Sequence, residues 1–91
     1  MDGINSSDPK SVIIKADDQE AKGRFSNLVQ VTSTHDVFIF DFAFVQGKAG
    51  WLLGRMLLSP QHAKRFHSVL GETLRKHEER FGVIESGPTL Q

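Results

Sequence analysis

Phenylalanines alternate with period two through an apolar stretch in the middle of the chain, and near residue 59 apolar residues begin to recur at helical spacing. The clearest stretch is Val37 to Val45, where Phe38, Phe40, Phe42 and Phe44 share one side of an extended strand. The other side carries Val37, Ile39, Asp41, Ala43 and Val45, so this strand is apolar on both faces around a single carboxylate. Phe25 to Thr32 predicts a strand before it, with a turn at Ser33 to Asp36. Gln46 to Gly50 reads as a five-residue hairpin loop and Trp51 to Leu58 as the returning strand. A short β-branched run, Val12 to Ile14, is the candidate for a fourth strand.

Closing the loop by pairing Val45 with Trp51 sets Asp41 against Arg55 and Phe42 against Gly54. Phe38, Phe40 and Phe44 then meet Leu58, Met56 and Leu52, so one face is uncharged and the other surrounds a lone ion pair. Ser59 is placed to cap a helix, with Pro60 at its first position and Gly82 past its end. Ala63, Phe66, Leu70, Leu74, His77 and Phe81 form its apolar stripe. The expected fold class is therefore α+β: an antiparallel meander of three to four strands followed by one long C-terminal helix packed on one sheet face. Residues 1–10 and 85–91 read as polar tails around a single domain at 11–84.

With 91 residues, one core can only marginally cover its own apolar surface. The helix can bury one sheet face, and the second face needs another cover. The phenylalanine face is expected under the helix. The face of Asp41 and Arg55 is expected to meet a second protomer through Val37, Ile39, Trp51, Leu53 and Leu57, making a homo-oligomer, a dimer first of all. The alternative is that the N-terminal segment folds over that face. The ion pair itself reads as a buried structural pair that fixes register or dimer geometry.

Composition narrows the chemistry. The 11 Lys and Arg balance 11 Asp and Glu, which removes the bulk attraction that nucleic-acid and anionic-membrane binders use. With no cysteine, disulfides, thiolate metal sites and thiol catalysis are excluded. Met1 to Lys10 is polar and no apolar run approaches a membrane span, so a cytoplasmic protein is expected. His35, His62, His67 and His77 include no pair at i to i+4, no Gly-x-Ser-x-Gly motif occurs, and no glycine loop opens a helix. Neither enzyme activity nor a cofactor or metal is expected. Lys64, Arg65, Arg75 and Lys76 could contact phosphates if two helices paired, against Glu72, Glu78 and Glu79 on the same helix. A self-associating protein-interaction module is the leading expectation, with nucleic-acid binding by paired basic helix faces, or chaperone-like capture of apolar segments, as alternatives.

Several stretches resemble a family of small bacterial and archaeal proteins, the domain of unknown function DUF3467. They are Ser26 to Val31, Asp41-Phe42, the junction Arg55 to Arg65 and Glu78 to Gly82, together spanning about residues 23–84; Ser59-Pro60-Gln61-His62-Ala63-Lys64 is the most specific. Thr73 and His77 stand where an Asn and an aromatic would be expected. The resemblance implies an architecture and no activity.

Overall fold

The computed structural model describes residues 11–87 and, as backbone strand, Gly3–Asn5. In chain order the elements are β1 (Gly3–Asn5), β2 (Ile13–Lys15), α1 (Asp18–Lys22), β3 (Leu28–Ser33), β4 (Phe38–Gln46), β5 (Ala49–Leu58) and α2 (Pro60–Phe81). The last three strands form an antiparallel sheet in the order β3-β4-β5, while β1 and β2 pair in a separate two-stranded ribbon. The chain is thus α+β as expected. The fourth strand exists but does not join the meander, and its partner lies inside the stretch read as an N-terminal tail. Residues 1, 2, 6–10 and 88–91 of the expected tails fall outside the described residues.

Strand β4 sits in the middle because it is apolar on both sides and bears phenylalanine and β-branched residues, which suit a doubly covered strand. Its pairing with β5 runs Phe38↔Leu58, Ile39↔Leu57, Phe40↔Met56, Asp41↔Arg55 and Phe42↔Gly54, the register expected. Beyond Gly54 the expectation fails. A bulge at Leu53 shifts the register, so that Ala43 meets Leu52, Phe44 meets Trp51 and Gln46 meets Ala49. The loop is consequently a two-residue turn, Gly47-Lys48, and not five residues. Gly47 has φ 64° and Lys48 does not share that sign, the pattern of a type II′ turn whose twist matches a hairpin.

The bulge also redistributes side chains. Trp51, expected beside Asp41, lies opposite Phe44 on the phenylalanine face, and Leu52 takes the Asp41 face in its place. On β3, Val29 and Val31 pair with Phe42 and Phe40 and join the phenylalanine face.

Helix α2 starts and ends where its caps dictate. The Ser59 hydroxyl accepts from the His62 amide at 3.1 Å, Pro60 follows, and the Gly82 amide donates to the Glu78 carbonyl at 2.9 Å. Phe66 meets Phe40 edge to face with ring centroids 5.6 Å apart, which confirms the phenylalanine face as the one beneath the helix. The helix does not close on it. No residue among those described is fully buried.

Candidate functional site

Two surfaces of the sheet concentrate what this chain offers. On the first, β4 and its neighbours present Asp41 between Gln30 of β3 and Arg55 of β5. Arg55 binds the carboxylate with both arms: Nε donates to Oδ1 at 2.6 Å and Nη2 to Oδ2 at 3.0 Å. This bidentate fork holds the Asp41 carboxyl below its usual value, chiefly by hydrogen bonding, and raises the guanidinium. Contrary to the expectation from sequence, the pair is not buried. The Arg55 side chain is 59% exposed, because among the described residues no element lies over this face. Ile39 and Leu57 flank the pair as expected, and Leu52 and Leu57 remain 62% and 63% exposed. Val37 precedes β4 at the mouth of the turn, where its carbonyl accepts from Thr34. Leu53 occupies the bulge, and its carbonyl accepts from Arg24 Nη1 at 3.2 Å.

Among the described residues, no part of the N-terminal segment from Ser11 to Arg24 is found over this face. Gln19, Glu20 and Arg24 instead border a shallow recess with Phe42, Gly54 and Met56, on the phenylalanine side.

The second surface lies between that side of the sheet and α2. Val29, Val31, Phe38, Phe40 and Phe42 floor an open groove of about 640 Å³, and Ala63, Phe66 and Leu70 form its helical wall. Lys64 and His67 are the lining residues with polar side chains. The groove can take an apolar, elongated body and offers no converging donors or acceptors to orient a polar one. Sequence reasoning assigned these residues to closed core. It recognised the apolar stripe and the phenylalanine face, and missed the gap between them, which depends on helix tilt.

Among the basic residues of α2, the surroundings of Arg75 are the most fully defined. Arg75 is engaged on both sides, Nη1 donating to Glu79 Oε2 at 2.5 Å and Nη2 to Glu72, whose carboxyl is lowered by that bond. Lys64 sits at the groove, apart from the Glu72–Arg75–Glu79 cluster. Lys76 adds a weaker favourable charge to Glu72, and Arg65 is exposed. His35 lies 2.9 Å from Asp36 in an exposed turn. Among the described residues no group of three or more His, Cys, Asp or Glu could hold a metal, and no helix is long and apolar enough to cross a membrane.

Compared with known proteins, residues 1–86 match a family model described as "Protein of unknown function (DUF3467)". Neither the curated proteins nor the solved structures contain a match to the chain.

Proposed function

The chain belongs to the DUF3467 family of proteins of unknown function, and from that premise we propose that it is a self-associating protein-interaction module with no catalytic role. The observation that carries this reading is the lack of any buried residue among those described. A cooperative fold needs a dry core, since hydrophobic burial is the main term opposing chain entropy. Here Phe66, Leu70, Leu74, Val31, Trp51 and Met56 all keep more than a third of their surface in water. The elements are well formed, with matched register, caps and turns, so the shortfall lies in packing between elements. A chain of this kind completes its core by association, as obligate dimers do.

Absolute mass from light scattering after size exclusion tests this, measured across concentration and at low and high salt. The expected result is a dimer or larger species that persists in salt, because apolar burial is not screened. A single-chain mass at every concentration, with a cooperative unfolding transition, would overturn the reading.

A further inference from the structure

We propose that the groove between α2 and the phenylalanine face is filled by the distal half of α2 from a second copy, giving a two-fold pair in which each helix spans both sheets. This rests on the self-association reading and specifies its geometry.

The groove needs an apolar occupant longer than it is wide, since its floor of Val29, Val31 and the three phenylalanines is continuous. The same chain carries an apolar ridge without a seat. No residue of α2 beyond Leu70 lines the groove, yet Leu74 and Phe81 continue the stripe, 44% and 68% exposed. One copy thus has one vacant groove and one unseated ridge. A two-fold axis satisfies both at once, because the contact from ridge to groove is returned by the partner, and nothing is left over to propagate. A foreign peptide in the groove would leave the ridge wet.

Gly71 supplies an independent pointer. It interrupts the middle of α2, where glycine costs roughly 1 kcal/mol relative to alanine. Within one copy nothing outside the helix's own backbone and its two chain neighbours approaches within 4 Å of where its Cβ would stand, so packing against the rest of the chain gives no reason for it. It follows Leu70, the last residue of α2 that lines the groove. A glycine there lets two helix backbones cross closely, and the crossing of α2 with its partner is the contact that uses it.

The chain contains no cysteine, so single-cysteine variants report contacts between copies without ambiguity. Val31→Cys and Leu74→Cys, co-refolded and treated with a short bis-maleimide, are expected to give a cross-linked pair joining one of each. Leu57→Cys alone, on the Asp41 face, is expected to give none. Gly71→Leu should raise the dimer dissociation constant at least tenfold while leaving helix content by circular dichroism unchanged. Cross-linking through Leu57→Cys with none between Val31→Cys and Leu74→Cys would show a face-to-face dimer and overturn this arrangement, leaving self-association standing. Unchanged affinity in Gly71→Leu would overturn the helix crossing. A monomeric parent protein that binds an apolar peptide or lipid in the groove would remove both readings.

Discussion

Asn27 does with its side chain what a peptide group does elsewhere in the sheet. Its Oδ1 accepts from the Val45 amide at 2.8 Å and its Nδ2 donates to the Val45 carbonyl at 2.9 Å. Next to it the Ser26 hydroxyl reaches the Ala43 carbonyl at 2.9 Å, so two short polar residues carry β3 past its last regular pair and satisfy β4 where β3 has turned away. The Asp41–Arg55 fork works similarly across the other edge of β4 and has a pH signature. A carboxyl lowered in the folded state contributes stability that is present above its unfolded pKa, about 3.9, and is lost as pH falls through its folded value. Asp41→Asn should therefore be less stable than the parent near neutrality, and the gap should narrow as pH drops below about 4. Urea titrations at several pH values check this; a gap that stays constant through acid would mean the fork contributes nothing in the folded state, and one that widens would mean that folding raises the Asp41 carboxyl. The pair was legible in the sequence as the lone charges facing each other in a doubly apolar hairpin. Its exposure was not, because exposure is set by what lies over the sheet and not by the strands.

At the scale of elements, the hairpin shows where pattern reading stops. Period-two alternation placed β4 and its register to Gly54, since a one-residue slip would have put Arg55 among the phenylalanines. It could not place the bulge, because Trp51, Leu52 and Leu53 are all large and apolar and the pattern is equally content with any of them on either face. Gly47 and Gly50 compound this, either being able to open a turn. The structure chooses Gly47, at φ 64°, and the choice has an energetic consequence. Gly47→Ala puts a Cβ into a region that costs L-residues roughly 1–2 kcal/mol, so the variant should lose about that much stability and favour a longer loop. Gly50→Ala would meet Val45 Cγ2 at 3.3 Å and no strained φ. Thermal denaturation of the two variants separates them: a larger loss at Gly50 would argue for the five-residue loop. Helix α2 was legible at both ends because Ser59, Pro60 and Gly82 are local signals whose physics needs no tertiary context.

For the whole molecule, the gap between α2 and the sheet decides how the protein should unfold. If association completes the core, folding and assembly are one equilibrium, and the melting midpoint must rise with protein concentration. Calorimetry over a hundredfold range in concentration should show a shift of several degrees; a fixed midpoint would mean that each chain is stable alone. The apolar surplus of a 91-residue chain argues for a partner from sequence alone, and pattern reading directs it to the Asp41 face because a helix of 22 residues is long enough to cover the other; that the helix leaves a groove is visible only in the structure. The bulge at Leu53 now gains a further meaning. Both outer strands of the three-stranded sheet offer unpaired backbone, and β5 is ten residues long and nearly all apolar, the kind of edge on which strands stack without limit. At Leu53 the ladder is broken and the carbonyl is already taken by Arg24, so an incoming strand finds no continuous row to pair with. The irregularity thus leaves this edge without an unbroken row of backbone groups, the feature on which strand-on-strand stacking depends.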